Sequence, residues 1–396
     1  MKDLKIILAE YGKIDFSTRK AALATVVKVN GSSYRSPGAR MLITDDGKWV
    51  GSISGGCLEG DALRKARKVI SDKKPMTVTY DTREESNQNL GIGLGCNGVI
   101  HVLIEPLDPI DKLNAVRGYE KFITDNQPIA LATIYDSDNS SLVGQKISLD
   151  NNGQLDSGIS NTHLTSEIKA DLERLFIAKK SSPKGYVSEG SNVDVFLELI
   201  QPGISVIIFG GGFDARPVSA LAKSLGWSVT VTDECVAHIA PLFFPDADKL
   251  SLCERKFIDR DFEITPFTAC VLMSHNYEYD RDVLKKIVKT DTPYIGMLGP
   301  RKRFDKMLSE FKDENFGFTA DQLHKIHSPI GLDVGAETPD EIAISIISEI
   351  QAKFTSRSGG FLKYKSGPIH DRDEESDQVF KQVYLNDSAG FRKAKD

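Results

Sequence analysis

The chain has 396 residues, 40% of them hydrophobic and 27% charged, with a formal net charge of -6; the length predicts two or three domains, and the charge gives no general reason to expect nucleic acid. No apolar run approaches the ~18 residues of a membrane span, and "MKDLKIILAEYGK" fails as a signal peptide because charges flank its short apolar run, so the expectation is a cytoplasmic protein with no membrane partner. Cys57, Cys96, Cys235, Cys253 and Cys270 show no CxxC spacing, which argues against a disulfide framework or a structural zinc site.

In chain order, "ATVVKV" and "RMLIT" read as strands and "DDGK" as a hairpin turn. "SISGGCLEG", residues 52 to 60, follows: Gly55 and Gly56 deliver Cys57 to the start of the helical stretch "CLEGDALRKARKVI". A thiol between glycines is sterically open, and a helix N-terminus favours its thiolate, a soft ligand suited to metal or sulfur chemistry. Cys96 in "GIGLGCNG" has a similar setting. Arg40 is the candidate counter-charge, while Glu59 opposes a thiolate unless it points away. The competing reading is that each cysteine is a small buried hydrophobe.

The stretch beginning at Ala22 is echoed by "ALATIYDSDNSSLVGQKISLDNNGQLDSGIS" from Ala130, and each copy closes on a related strand, "VIHVLIEP" or "VFLELIQP". The N-terminal half is therefore expected to be an internally duplicated α+β structure, with copies at residues 1–110 and 111–202. The second copy has neither glycine-flanked cysteine nor the "YRSPGAR" segment.

From Ser205 the pattern becomes strand, glycine turn, helix, strand, and the expected fold class is α/β with a Rossmann-like parallel sheet over 203–356. Gly210, Gly211 and Gly212 open a G-x-G-x-x-A string, and Asp233 ends the next strand. That arrangement suits a phosphate at the helix start and ribose hydroxyls on the carboxylate, so NAD is a possible ligand. His275 and Asn276, then Arg301, Lys302 and Arg303, fall near the ends of later strands, where open α/β sheets hold ligands. His275 is a candidate proton carrier and the basic trio a candidate phosphate grip. His327 and Asp333 stand in the loop "HSPIGLDVGAE" before a helix with a Thr338–Glu341 capping box and Pro339 in its first turn. Residues 357–396 form a polar tail expected to pack on a neighbouring domain or protomer.

The motifs "GSSYRSPGARM", "GSISGGCLEGD", "GLGCNG", "IIFGGGFDARPV", "MSHNYEYD", "YIGMLGPRKR" and "HSPIGLDVGAETPDEIAISI" occur in the order found in the XdhC/CoxI family, accessory factors of xanthine dehydrogenase and related molybdenum hydroxylases, which the chain resembles from about Ala21 to Ala352. The resemblance implies a chaperone for molybdenum cofactor, with Cys57 as the possible molybdenum contact. It further implies a cysteine desulfurase as sulfur source, a xanthine dehydrogenase-type hydroxylase as recipient, and a homodimer. Relatives carry a histidine where this chain has Phe213, so no role is carried over to that position. The alternatives are an NAD-dependent oxidoreductase and a nucleotide-sensing regulator without catalysis.

Overall fold

A computed structural model describes residues 2–82, 98–111 and 114–366. The chain divides into two compact units, residues 3–202 and 203–364. The expected tail packing falls largely on residues 367–396, outside the described residues.

The first unit carries two sheets of the same design. In the first copy α1 (Lys2–Tyr11) precedes β1 (Ala21–Gly31), β2 (Arg40–Thr44), β3 (Trp49–Gly51), α2 (Glu59–Asp72), β4 (Met76–Asp81) and β5 (Gly98–Leu107). In the second copy α3 (Ala115–Asp125) precedes β6 (Ile129–Ser137), β7 (Lys146–Asp150), β8 (Leu155–Ser157), α4 (Thr162–Ala178), β9 (Ser182–Ser188) and β10 (Ser191–Ile200). The strand orders, β3-β2-β1-β5-β4 and β8-β7-β6-β10-β9, correspond element for element.

The hairpin turn expected at "DDGK" forms, as does its counterpart "NNGQ" in the second copy, with Gly47 at φ 89° and Gly153 at φ 82° taking the left-handed conformation that glycine permits. Helix α2 lays Ala62, Ala66 and Val69 on Ala22, Ala24 and Val26 of its sheet. Helix α4 lays Leu164, Ile168 and Leu172 on Ala130, Ala132 and Ile134 in the same way. The duplication extends to side chains: Tyr80 donates to Asp61 (3.0 Å) and Tyr186 to Asp171 (2.6 Å), each aspartate also pairing with an arginine one turn on.

The copies differ at one hairpin. β9 and β10 join through Glu189 and Gly190, both at positive φ (54° and 80°), the signature of a two-residue turn. The corresponding connection of the first copy runs over residues 82–97 and includes Cys96, which lies outside the described residues.

The second unit is a parallel sheet between two helical layers. Its strands are β11 (Ser205–Phe209), β12 (Ser228–Asp233), β13 (Lys249–Leu252), β14 (Thr268–Leu272), β15 (Tyr294–Met297) and β16 (Ile326–His327), in the order β13-β12-β11-β14-β15-β16. Helices α5 (Ala215–Ser224), α6 (Ile258–Asp261), α7 (Tyr277–Ile287), α8 (Arg301–Asp313), α9 (Ala320–His324) and α10 (Pro339–Phe354) connect and flank them. Alternation along β11 feeds both faces: Val206 and Ile208 pack with α5 and α10, while Ile207 and Phe209 pack with α7 and α8. The capping box at Thr338 forms as its sequence predicts, and Ile346 and Ile350 are fully buried below it. Chain order reverses between β11 and β14, so the turns after these strands border a crevice where such sheets take ligands.

Candidate functional site

The loop carrying Cys57 joins β3 to α2 and is organised by an acid and a serine. Glu59, 7% exposed, accepts hydrogen bonds from Ser52 Oγ (2.8 Å), the Ser54 backbone N–H (2.9 Å) and Ser54 Oγ (2.5 Å). The Ser54 hydroxyl in turn accepts from the Gly56 and Leu58 N–H groups at 3.2 and 3.1 Å, with Cys57 Sγ 3.5 Å away. Ile53 and Leu58 are buried on either side and anchor the loop in the core. Cys57 itself is partly exposed.

Glu59 therefore points inward. Burial alone would raise its pKa, but the hydrogen bonds from Ser54 and Ser52 outweigh that and hold the carboxyl below its ordinary value. Gly56 sits at φ 114° with open space around it, so backbone conformation, not crowding, requires glycine there. At Gly55 a side chain would press on the Tyr34 ring at 3.3 Å. Ser52, Ser54 and Tyr34 escape a reading of the sequence because no standard capping spacing connects them to Glu59 or Gly55.

Arg40, expected as the counter-charge, has partners of its own. It is 6% exposed, and its guanidinium donates to Tyr119 Oη at 3.1 and 2.8 Å and forms an ion pair with Glu198 of the second copy. Burial disfavours its charge, yet Glu198 and Tyr119 more than compensate and keep it protonated. Lys146 pairs with Glu105 in mirror fashion. Arg40 and Lys146 stand opposite Thr25 and Thr133, equivalent register positions, while Glu105 and Glu198 stand opposite Leu23 and Leu131. Two reciprocal buried pairs thus join the copies.

In the second unit the glycine turn is crowded. Gly210, at φ 117°, would place a Cβ 2.4 Å from Ser274 Cα, and Gly211 would place one 2.5 Å from the His238 carbonyl oxygen. Asp233, expected to receive ribose hydroxyls, is engaged by its own chain. It accepts the N–H groups of Gly211 (2.9 Å) and Cys235 (2.8 Å) and meets His238 Nδ1 at 3.1 Å. Three of the roughly four acceptor positions of a carboxylate are engaged by its own chain.

His275 does reach the glycine turn. Its backbone takes φ 57°, its ring lies 3.5 Å from where a Cβ on Gly212 would stand, and Nε2 is 3.2 Å from Asp214. Phe213 is 67% exposed, and Arg216 stacks between it and Phe243.

Three other candidates have structural partners. Asn276 caps α7 by accepting from the Tyr279 N–H (3.2 Å). Arg303 pairs with the fully buried Asp280 at 2.8 Å and leaves Arg301 as the exposed arginine of the trio. His327 meets Glu349 at 3.0 Å, and Glu349 also accepts from Tyr294 and Gly331, so this network secures the loop after β16, in which Asp333 is exposed.

Burial raises the Cys253 thiol to about 11 and the Cys270 thiol to about 12, so both behave as inert apolar groups. Among the described residues no group of three or more His, Cys, Asp or Glu is placed to hold a metal ion, and no helix is long and apolar enough to cross a membrane.

Residues 17–81 match the XdhC and CoxI family, and residues 206–350 match the XdhC Rossmann domain. A protein of Bacillus subtilis described as a probable xanthine dehydrogenase component is 31% identical over 334 residues, 84% of this chain and 92% of that one. The molybdenum cofactor insertion chaperone PaoD of Escherichia coli is 23% identical over 84% of this chain and 83% of its own length. A crystal structure from Bacillus halodurans, described as a xanthine dehydrogenase, is similar with a TM-score of 0.74 and 29% identity, covering 90% of this chain and 97% of that one. The matched segments hold the Cys57 loop and the glycine turn, and the likeness to the Bacillus subtilis protein runs through both units: the chain belongs to the XdhC and CoxI family.

Proposed function

We propose that the chain binds molybdenum cofactor as cargo, supports its sulfuration and inserts it into a xanthine dehydrogenase-type molybdenum hydroxylase. The observation that carries this reading is the Cys57 loop. A partly exposed thiol, held by a serine–glutamate network on a backbone bare at Gly55 and Gly56, gives a bulky cofactor access to a soft ligand. The names borne by the relatives, an insertion chaperone and a xanthine dehydrogenase component, support the same reading. A cysteine desulfurase as sulfur donor, a homodimeric state and a cytoplasmic location belong to this proposal. NAD chemistry ranks below it because Asp233 serves its own glycine turn.

The test is co-expression of the full chain in a host that makes molybdenum cofactor, followed by metal analysis and oxidised-pterin fluorescence. Wild type is expected to retain molybdenum and pterin, and Cys57→Ser to lose the molybdenum. Equal retention by the two proteins removes Cys57 from the mechanism.

A further inference from the structure

Beside the Cys57 loop, within the same unit, lies a cavity of about 470 Å³, a volume in the range of small-molecule sites. Tyr34 belongs to both features, since its ring lines the cavity and stands against Gly55, two residues before Cys57. Tyr34 is 69% exposed, so it contributes little to the core and leaves its flat ring open to solvent.

Four charged groups line the cavity: Asp3, Arg35, Arg40 and Glu198. Arg40 and Glu198 are buried and neutralise each other. Arg35 and Asp3 also pair, but their side chains are 35% and 48% exposed, and an ion pair so open to water is weak enough to be exchanged.

We propose that this cavity seats the phosphate-bearing pterin end of the cargo. Tyr34 stacks on the flat heterocycle, Arg35 trades Asp3 for the phosphate, and the Cys57 loop meets the metal end. A phosphate offers more charge than a carboxylate and three acceptor oxygens to the planar guanidinium, so it displaces Asp3 where a neutral pterin does not. Asp3 thereby acts as a selectivity gate for the phosphorylated ligand. This assignment rests on the proposed function and specifies where the cargo's organic part is held.

The test measures binding of metal-free, phosphate-bearing pyranopterin, released from a purified molybdoenzyme, to the full chain by pterin fluorescence, with inorganic phosphate as competitor. Arg35→Ala is expected to weaken binding by roughly 10- to 100-fold, the loss of a charge-assisted hydrogen-bond pair. Tyr34→Ala is expected to weaken it by about 5- to 50-fold through lost stacking. Asp3→Asn is expected to tighten it by about 2- to 5-fold by freeing Arg35, a gain that misfolding cannot produce. Binding by the Arg35, Tyr34 and Asp3 variants equal to wild type overturns the cavity assignment, and leaves the proposed function standing if Cys57→Ser still loses molybdenum. Failure of wild type to retain either molybdenum or pterin overturns both.

Discussion

Replacing Glu198 by Gln tests the claim that reciprocal buried pairs join the two copies. The substitution keeps the shape of the side chain and removes the charge opposite Arg40, which at 6% exposure has little access to water. Leaving one member of a buried pair without its counter-charge costs about 3–5 kcal/mol. Arg40 keeps its hydrogen bonds to Tyr119 Oη and the Gly38 carbonyl (2.6 Å), and its guanidinium lies 4.5 Å from the Tyr119 ring centroid. Those contacts are the same before and after the substitution; the loss is offset only by the amide oxygen of the new glutamine, which still accepts from the guanidinium and returns about 1 kcal/mol, so the expected net loss is about 2–4 kcal/mol.

Hydrogen exchange of the full chain, read by mass spectrometry, separates the two units. Peptides from β1, β2 and β10 should exchange roughly 30- to 700-fold faster if they open by unfolding of their unit, following 1.4 kcal/mol per tenfold. Peptides from β11 and β14 serve as the internal control and should keep their rates. Arg40→Met combined with Glu198→Leu should recover most of the loss, because a buried pair can be replaced by apolar groups at little cost. Unchanged exchange in Glu198→Gln would refute the reasoning, as it would show that the pair is solvated.

Two further outcomes follow from the loops. Glu59→Gln retains one acceptor oxygen where the carboxylate used two, at an expected loss of about 2 kcal/mol or about 4–8 °C in melting temperature at pH 7. It should also speed alkylation of Cys57, followed by peptide mass spectrometry. Because the folded pKa of Glu59 is depressed, its contribution is complete above its ordinary value of 4.5 and is lost as pH falls through the lower folded value. The melting difference between wild type and Glu59→Gln should therefore shrink in acid, and a pH-independent difference would contradict the assignment. Gly56→Ala and Gly210→Ala make a matched pair, with φ at 114° and 117°. Both incur backbone strain of about 1–3 kcal/mol, but only the Gly210 variant also meets backbone atoms at 2.4 Å, so it should destabilise its unit by more than the Gly56 variant does in thermal melts.

Much of the architecture was legible in the sequence because it is decided by neighbours in the chain. Gly47 and Gly153 supply turns that their hairpins need, Thr338 and Glu341 lie three residues apart as a capping box requires, and the strand, glycine turn and helix after Ser205 are contiguous. The duplication was visible for the same reason, since each copy must repeat its own hydrophobic alternation to bury one face of its sheet. The fates of charged side chains depended on the tertiary structure. Arg40 meets a glutamate 158 positions away, Arg303 is claimed by Asp280 across two helices, and Asp233 turns back to the Gly211 N–H. A polar group is recruited by whichever donor or acceptor burial brings near it, and burial is settled only when the sheets and helices pack. Sequence alone thus determined which elements form and which residues are available for chemistry, whereas packing decided that Cys57 and Tyr34 stay accessible while Arg40, Asn276 and Arg303 hold the fold.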